Sequence, residues 1–316
     1  MTRANYRVKA EVHWTSPAKF LSVGVLKVAG LVSSPFDHRG VYQVGRALRG
    51  YLDGATGIVV SGEQVCFRFP LSDPYWSRLL AWLFRYETEM WALLRLAGQS
   101  GAAFIDAGAN RGLWSAVAVQ EGLAPVVAIE PGRQAGRWLE ETRELNGGRF
   151  EIVTAAVTDR DSGFGTFIDS ADEAKAGSGL SDSNQDGAYS VELRTVDSIA
   201  AQYLSDGVQN LAIVKLDVEG AEIPAIVGCF GLLRAGSVLM VEDHGKDSTC
   251  AVTDFLLNQG LRVAIFRKGL FAEIYDASHL AKMKTRKSKG YNVLAGTVES
   301  ALFTRLCQAN LRTILS

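Results

Sequence analysis

The chain has 316 residues, of which 47% are hydrophobic and 21% are charged. This composition is typical of a globular protein with a large core, and it excludes disordered, collagen-like and coiled-coil chains. The 33 basic and 34 acidic side chains nearly balance, at a net charge of -1. No overall positive field would attract a phosphate backbone, so we expect no nucleic-acid partner.

The cysteines and the N-terminus bear on the cellular compartment. Cys66, Cys229, Cys250 and Cys307 form no Cys-x-x-Cys pair, and they indicate reduced thiols. The first ten residues include basic side chains, but no apolar stretch with a convincing cleavage site follows them directly, which argues against a signal peptide. We therefore expect a cytoplasmic protein.

The first predicted element is an apolar helix over Pro17–Val32. The segment is shorter than the roughly 20 residues that cross a bilayer, and Lys19 and Lys27 interrupt it. We expect no transmembrane segment. A packed or partner-facing helix is favoured over a helix that lies on a membrane surface.

The rest of the N-terminal third differs from the later chain in its pattern of apolar residues. Its predicted elements are a helix near Tyr42–Leu52, a hairpin of Gly57–Ser61 with Gln64–Phe69, and a helix over Pro74–Leu96. We therefore predict a mainly helical N-terminal extension over residues 1–73, with one short hairpin. A second unit is predicted over residues 74–316.

From Ala102 onwards, short apolar runs alternate with helix-length segments. The runs are A-A-F-I-D-A, P-V-V-A-I-E, F-E-I-V-T-A-A-V, L-A-I-V-K-L-D-V, S-V-L-M-V-E-D and L-R-V-A-I-F. Runs without strict polar alternation are typical of strands buried on both faces, so an α/β, doubly wound, mostly parallel sheet is predicted. Further strands are predicted near Gly165–Asp169, Tyr189–Val196 and Tyr291–Val298. The polar stretch 170–188 is predicted to be a mobile loop, either a lid or an inert connector.

The first of these runs ends in F-I-D-A-G-A-N-R-G, where a strand leads through a glycine turn into a helix. Such a turn lets backbone N–H groups approach a ligand at the carboxyl end of the sheet. A dinucleotide-binding G-x-G-x-x-G motif starting at Gly108 would need glycines where Asn110 and Leu113 stand. Asp106, just before the glycine, instead suits a ligand with a positive charge, such as the amino group of S-adenosylmethionine.

Glu130 ends the second run, 24 residues after Asp106. At the end of a neighbouring strand its carboxylate can accept hydrogen bonds from both hydroxyls of a ribose. Either acid alone could be a solvated loop residue. Together, with the glycine turn between them, they indicate a nucleoside site.

Charged residues also end the fourth run. Lys215, Asp217 and Glu219 alternate where this strand leaves the sheet beside the expected ligand crevice. They are candidates for the chemistry of the site. The structural alternative is that Lys215 is paired internally with one of its acids.

Glu242, Asp243 and His244 end the fifth run. Charged residues at such a strand end could supply a base or a Lewis acid beside the ligand crevice. His244 would be a general base oriented by a carboxylate; alternatively, Asp217, Glu242 and Asp243 would hold Mg²⁺. A third reading is that this strand end only caps a helix or faces solvent.

Five motifs of the second unit resemble the FkbM family of S-adenosylmethionine-dependent methyltransferases. They are F-I-D-A-G-A-N-R-G at 104–112, A-I-E-P at 128–131, A-A-V-T-D at 155–159, T-V-D-S-I at 195–199 and I-V-K-L-D-V-E-G-A-E at 213–222. The last of these is the most specific. The flanking sequences Y-E-T-E at 86–89 and Y-N-V-L-A at 291–295 also resemble motifs of that family, and the resemblance covers roughly residues 75 to 298.

The resemblance implies a seven-stranded class I methyltransferase fold, which is Rossmann-like, and the cofactor S-adenosyl-L-methionine. It commonly implies methylation of a hydroxyl on a sugar, a polysaccharide or a secondary metabolite. The cofactor contacts that it implies are Asp106, Gly108, Asn110 and Glu130. We also predict cofactor contacts at Glu87, Ala109, Pro131, Ala156 and Asp217.

We therefore predict an S-adenosylmethionine-dependent O-methyltransferase that acts on a small-molecule or glycan hydroxyl. Its candidate catalytic residues are His244, Asp217 and Lys215, and Mg²⁺ is an open second cofactor. The alternative is a non-catalytic cofactor-binding module that engages a partner or a membrane surface through its N-terminal extension. Homo-oligomerisation is left open.

Overall fold

The computed structural model describes residues 6–11, 16–98, 100–169, 179–180, 186–204, 211–267, 269–285 and 290–309. The N-terminal elements are β1 (Tyr6–Glu11), α1 (Pro17–Ser33), α2 (Val41–Leu48), β2 (Thr56–Ser61), β3 (Gln64–Pro70) and α3 (Pro74–Ser77). The predicted hairpin and the two predicted helices before it are confirmed, with one turn of 3-10 helix at Arg49–Leu52 extending the second.

The extension has more residues in helices than in strands, but β1 adds a strand that the sequence analysis missed. β1 pairs antiparallel with β2, and β2 pairs with β3, so a three-stranded sheet accompanies α1 and α2. Residues of β1 alternate between half-buried and exposed, as in a sheet with one covered face. The strand was missed because its partner is distant in sequence and six residues carry a weak pattern.

The predicted continuous helix over Pro74–Leu96 is wrong. After α3 and one 3-10 turn at Arg78–Leu80, the chain is irregular until α4 begins at Thr88. Leu83 and Glu87 have positive φ angles of 64° and 39°, which no helix tolerates. The apolar spacing is misleading because Leu80 and Leu94 do pack in the core, but the break leaves an irregular segment, 81–87, between the two helices.

The remaining elements build the second unit. Its strands are β4 (Ala103–Ala107), β5 (Val126–Ile129), β6 (Glu151–Val153), β7 (Ala155–Val157), β8 (Gly163–Ile168), β9 (Gly179–Leu180), β10 (Tyr189–Arg194), β11 (Ala212–Leu216), β12 (Val238–His244), β13 (Arg262–Arg267), β14 (Leu270–Ile274) and β15 (Gly290–Gly296). Its helices are α4 (Thr88–Gly98), α5 (Leu113–Gln120), α6 (Arg133–Leu145), α7 (Val196–Tyr203), α8 (Glu222–Val227), α9 (Phe230–Arg234), α10 (Ala251–Asn258), α11 (Ser278–Ala281) and α12 (Ala301–Gln308).

The central sheet has the order β14-β13-β15-β12-β11-β4-β5-β6. The strands β12, β11, β4, β5 and β6 are parallel neighbours, whereas β15 runs antiparallel to β12 and β13, and β14 runs antiparallel to β13. This is a mixed, Rossmann-like α/β sheet. It has eight strands in the described part of the chain and not the predicted seven, because β14 adds an edge strand that the sequence analysis did not recognise.

Helices cover both faces of this sheet, as the apolar runs predicted. Phe104, Ala128 and Ile213 belong to one hydrophobic cluster. Their neighbours Ile105 and Val214 belong to a second cluster. Successive side chains of a strand point to opposite faces, so the two clusters are the two sides of the sheet, and strands buried on both sides have no polar alternation.

A second sheet, of order β7-β10-β8-β9, stands beside the first. The run F-E-I-V-T-A-A-V was predicted as one strand, but it divides at Thr154 between β6 and β7, one in each sheet. Of the predicted loop at 170–188, residues 170–178 and 181–185 lie outside the described residues. Gly179–Leu180, between them, pairs with β8 as β9.

The N-terminal sheet packs on the second unit through β3. Asn146 Nδ2 donates a hydrogen bond to the carbonyl of Cys66 at 2.7 Å, and Arg68 pairs with Glu141 at 3.0 Å. Phe67 shares one hydrophobic cluster with Trp114 of α5. The two predicted units therefore share a core, and their division at residue 73 stays a prediction.

The order of the sheet reverses between β4 and β11. From β4, the next strands β5 and β6 extend to one side, while β11 and β12 extend to the other. In open α/β sheets, ligands bind in the crevice outside the carboxyl ends of the strands at this reversal. The fold thus directs attention to the residues that follow β4, β5 and β11.

Candidate active site

A cavity of about 360 Å³ opens at this crevice. Four segments form much of its wall: residues 108–111 after β4, 130–132 after β5, 155–157 of β7, and 217–221 after β11. Phe167 and Leu180 of the second sheet close one side. The volume lies in the range of small-molecule sites.

Gly108 lets the turn after β4 approach the end of β11. Its φ angle is +77°, and a Cβ atom on it would lie 1.8 Å from the carbonyl oxygen of Asp217. No side chain fits there. The turn therefore presents bare backbone to the cavity, as the sequence predicted for a closely approached ligand.

Glu130 joins the turn after β4 to the start of α6. Its Oε2 accepts a hydrogen bond from the backbone N–H of Asn110 at 2.8 Å, and its Oε1 accepts one from Gly132 at 2.7 Å. Burial raises the pKa of this carboxyl to about 7, although both N–H groups oppose the rise. A carboxylate has about four acceptor positions, so lone pairs remain for a ligand.

Lys215 is buried at the base of the crevice between two carboxylates. Its Nζ lies 3.2 Å from Asp217 Oδ2 and 3.8 Å from Asp106 Oδ1. Burial lowers the pKa of Lys215, but the two carboxylates outweigh burial and raise the pKa above its usual value. The structural alternative that the sequence left open, an internally paired lysine, describes this geometry, although Lys215 also lines the cavity.

Asp106 does not line the cavity, contrary to the prediction that it meets the cofactor's amino group. It is fully buried, and its register partner in the sheet is Lys215. Oδ2 accepts a hydrogen bond from Ser115 Oγ at 2.7 Å, whereas the buried Oδ1 has no hydrogen-bond partner in the described structure. Asp106 and Lys215 lie side by side on neighbouring parallel strands, so the two opposite charges pair with each other inside the protein.

Glu87 also lies behind the cavity wall. Burial raises the pKa of its carboxyl to about 8, and its Oε2 is buried without a hydrogen-bond partner in the described residues. Close by, Asn292 Nδ2 donates a hydrogen bond to Glu89 Oε1 at 3.0 Å. The two flanking motifs, Y-E-T-E and Y-N-V-L-A, thus meet although they are 200 residues apart in sequence.

A group of aromatic residues that the sequence analysis did not assign to the site forms another wall. Tyr75, Trp76, Tyr86 and Trp114 all line the cavity. The hydroxyl oxygens of Tyr75 and Tyr86 are 2.6 Å apart, and the Tyr86 ring stacks on Trp114 with centroids separated by 5.9 Å. Because a continuous helix was predicted over 74–96, the sequence analysis did not recognise this wall. The signal that could have shown it is the position of Tyr86 directly before Glu87 in Y-E-T-E.

His244 is not placed as a general base, contrary to the sequence hypothesis. Nδ1 lies 2.9 Å from Glu242 Oε1, and Nε2 lies 3.1 Å from Glu222 Oε1. Hydrogen bonds to Glu222 and Glu242 raise the pKa of His244 to about 11. The imidazole is therefore a cation at neutral pH with both nitrogens engaged, and it does not line the cavity.

The carboxylates of the hypothetical magnesium site do not come together either. Glu242 and Asp243 are neighbours on β12, so their side chains point to opposite faces of the sheet. Asp243 is fully buried, where it accepts hydrogen bonds from Thr253 N and Oγ1 and pairs with Lys284. Across the described ranges, no group of three or more His, Cys, Asp or Glu is placed to hold a metal ion.

Glu219 is one of the acids that line the cavity. It follows β11, with a positive φ of 48°, and the residue is exposed to solvent. Desolvation of its carboxyl group and then the carboxylates of Asp217 and Glu242 raise its pKa to about 7. The sequence placed this residue at the strand end but gave it no role.

The family profile described as Methyltransferase FkbM domain matches residues 106–263, which is half of the chain. The chain belongs to the FkbM methyltransferase family. It therefore carries a methyltransferase domain, with S-adenosylmethionine as the methyl donor that this class of enzyme uses. Among curated proteins, none matches the chain.

Solved structures of other methyltransferases are also similar to the chain. Methyltransferase FkbM from Methylobacillus flagellatus KT has 13% sequence identity and a TM-score of 0.37, and the match covers 88% of this chain and 58% of that one. The O-methyltransferase from Bacillus cereus, solved in complex with SAH, has 13% identity and a TM-score of 0.39, with 67% of this chain and 81% of that chain covered.

Most of the predicted cofactor contacts of this FkbM-family chain share the cavity wall. They are Gly108, Ala109, Asn110, Glu130, Pro131, Ala156 and Asp217. Asp106 and Glu87 lie behind the wall. Of the three candidate catalytic residues, Asp217 and Lys215 line the cavity and His244 does not.

Proposed function

We propose that this FkbM-family chain is an O-methyltransferase that transfers the methyl group of S-adenosylmethionine to a hydroxyl of a sugar, a polysaccharide or a secondary metabolite. The observation that carries the proposal is the position of Glu219. It is a carboxyl group in the wall of the ligand cavity with a pKa of about 7. A hydroxyl acceptor needs such a base, because its proton must leave as its oxygen attacks.

One end of the cavity fits the nucleoside of the cofactor. The Glu130 carboxylate is held by two backbone N–H groups and keeps free lone pairs, which suits the hydroxyls of a ribose. The turn at Gly108 presents backbone that no side chain shields. Glu130 and the residues Gly108–Asn110 would thus hold the cofactor, and Pro131 and Ala156 would line its base.

The positive end of the cofactor requires a different partner from the one predicted. Asp106 is sealed behind the wall, whereas the Asp217 carboxylate lines the cavity and is 26% exposed. Lys215 holds Asp217 in place at 3.2 Å. We infer that Asp217 meets the cationic end of the cofactor and that Asp106 acts only through Lys215, as a positioning residue.

S-adenosylmethionine supplies an electrophilic methyl group when it is bound. Glu219 would accept the proton of the acceptor hydroxyl while the hydroxyl oxygen forms its bond to that methyl group; the carbon–sulfur bond breaks, and its electron pair would leave with the sulfur of S-adenosylhomocysteine. The chain contributes positioning and a base, and the aromatic wall of Tyr75, Trp76 and Tyr86 excludes water from the acceptor side.

His244 would position the acids of this region. As an imidazolium between Glu222 and Glu242, it compensates two carboxylates that would otherwise repel Glu219. Glu222 Oε1 and Oε2 each lie 3.0 Å from the backbone N–H of Gly220, the residue after Glu219. His244 therefore acts on the loop that carries the base.

We keep the cytoplasmic location as part of this proposal, because the sequence indicates reduced thiols.

Transfer of a labelled methyl group tests the proposal. The full chain would be incubated with S-adenosylmethionine carrying a trideuterated methyl group and with panels of free sugars, polysaccharides and hydroxylated secondary metabolites. We expect mass spectrometry to find the labelled methyl group as an ether on a hydroxyl. Label found only on amines, or only on the protein itself, would contradict the assignment to oxygen.

A further inference from the structure

Helix α1 is apolar on its solvent side as well as on its packed side. Ser22, Val23, Leu26 and Gly30 are buried against the protein. The opposite side carries the exposed residues Leu21, Val25, Val28, Leu31 and Val32, with exposed fractions between 44% and 70%. At 100° per residue these five fall on one stripe, and no charged residue of α1 falls among them. A helix that is hydrophobic all round is normally covered on all sides.

The loop after the 3-10 turn carries two more exposed apolar side chains beside α1. The backbone N–H of Trp82 donates a hydrogen bond to the carbonyl of Lys27 at 3.2 Å, which holds the loop alongside α1. Trp82 and Leu83 are 51% and 63% exposed. We call the five α1 residues with Trp82 and Leu83 the apolar face.

The charge around the apolar face has one dominant sign. Over residues 16–52 the sequence has five basic residues and one acidic residue, although the whole chain has a net charge of -1. The basic residues are Lys19, Lys27, Arg39, Arg46 and Arg49. This excess lies in the segment that forms α1 and α2, which contact each other, so it favours an occupant that is apolar with a negative surface.

The packing of α1 determines how such an occupant would meet it. Pro17–Phe36 is the one helix in the described ranges that is long and apolar enough to span a bilayer, with a mean hydropathy of 1.3. However, its inner side is tied to the protein, because a Cβ atom at Gly30 would lie 2.5 Å from the backbone of Trp82. A helix held along one side can enter a bilayer surface with its other side only.

We propose that the apolar face docks the protein on an anionic lipid surface. Leu21, Val25 and Val28 would enter the boundary of the acyl chains, with Trp82 at the interface, where tryptophan is enriched. The basic residues of 16–52 other than Lys19, whose Nζ lies beside Gly54, would contact the lipid headgroups. The docked chain keeps its cavity near the lipid, because segment 81–87 carries both Trp82 of the face and Tyr86 of the cavity wall.

Co-sedimentation of the full chain with vesicles tests this proposal. We expect wild-type protein to sediment with vesicles of equimolar phosphatidylcholine and phosphatidylglycerol, and much less with phosphatidylcholine alone. Binding should weaken as salt is added, because surface charge interactions are screened. The double variant Leu21→Glu/Val28→Glu should lose at least about tenfold in vesicle affinity, while Val298→Glu, at an exposed apolar residue elsewhere, should bind like the wild type.

Further measurements separate the outcomes. Arg39→Glu/Arg46→Glu should weaken binding to the anionic vesicles and not to neutral ones. Circular dichroism melting should show that every variant is folded. Equal wild-type binding to both vesicle types, or none to either, would overturn the proposal. So would self-association in sedimentation velocity that Leu21→Glu/Val28→Glu abolishes without vesicle binding, since a second copy of the chain would then be the occupant.

Discussion

Replacing Glu219 with glutamine is expected to lower kcat by about 10²–10⁴-fold, the usual contribution of a general base. Glutamine keeps the size of the side chain but cannot accept the acceptor's proton. Affinity for S-adenosylhomocysteine should stay near that of the wild type, because Glu130 and the turn at Gly108 form the other end of the cavity. Steady-state kinetics and calorimetric titration measure the two effects separately.

The pH profile provides a second check on Glu219. The base is active when deprotonated, so kcat/KM should rise as pH increases through about 7 and level off above it. Glu130, whose pKa is also about 7, titrates in the same range, so the part of the rise that Glu219→Gln removes is the part due to Glu219. His244, with a pKa of about 11, stays protonated through this range and should add no inflection. Glu299→Gln, at an exposed residue outside the cavity, is the control. Activity within tenfold of the wild type in the Glu219→Gln variant would exclude Glu219 as the base.

Replacing Lys215 with methionine is expected to destabilise the folded protein by about 3–5 kcal/mol, the cost of leaving a buried charge without its partner. Methionine preserves most of the chain length of lysine, so the change isolates the charge. The charge left without its partner is that of Asp106, which is fully buried and whose second partner, Ser115, is neutral. Unfolding in urea, monitored by circular dichroism, measures the loss.

A second substitution distinguishes lost charge from lost packing. Asp106→Asn removes the buried negative charge while keeping an acceptor for Ser115. The double variant Lys215→Met/Asp106→Asn should therefore be more stable than Lys215→Met alone. If the double variant is no more stable, or if Lys215→Met costs less than about 1 kcal/mol, the buried pair does not hold this part of the crevice as described.

The sequence predicted the cofactor end of the site better than the acceptor end, for a physical reason. Glu130 and Gly108 end or follow strands, and the carboxyl ends of parallel strands meet at one edge of a sheet. Their positions therefore follow from the order of the strands. Asp106 shows the limit of this reasoning, because strand order brings residues to an edge but does not decide whether a side chain points into the crevice or pairs with a neighbour.

The acceptor end depends on contacts that no local pattern contains. His244 was interpreted as a base from its residue type and its acidic neighbours. However, Glu222, which hydrogen-bonds to its second ring nitrogen, is the first residue of α8 and lies 22 residues away in sequence. Tyr86 and the other aromatic residues had core-like spacing, and only the positive φ of Leu83 and Glu87 shows that their helix is broken. Strand β14 and strand β1 were missed because each depends on one distant or edge pairing.

Calorimetric titration of the full chain with S-adenosylhomocysteine tests the central claim most directly, which is that the cavity beside Gly108 and Glu130 is the cofactor site. We predict one molecule bound per chain with micromolar affinity, no binding of NAD, and a loss of at least about tenfold in affinity for Glu130→Ala, as expected for hydrogen bonds to a charged group. Binding of NAD in place of S-adenosylhomocysteine, or undiminished affinity in a folded Glu130→Ala variant, would contradict this account.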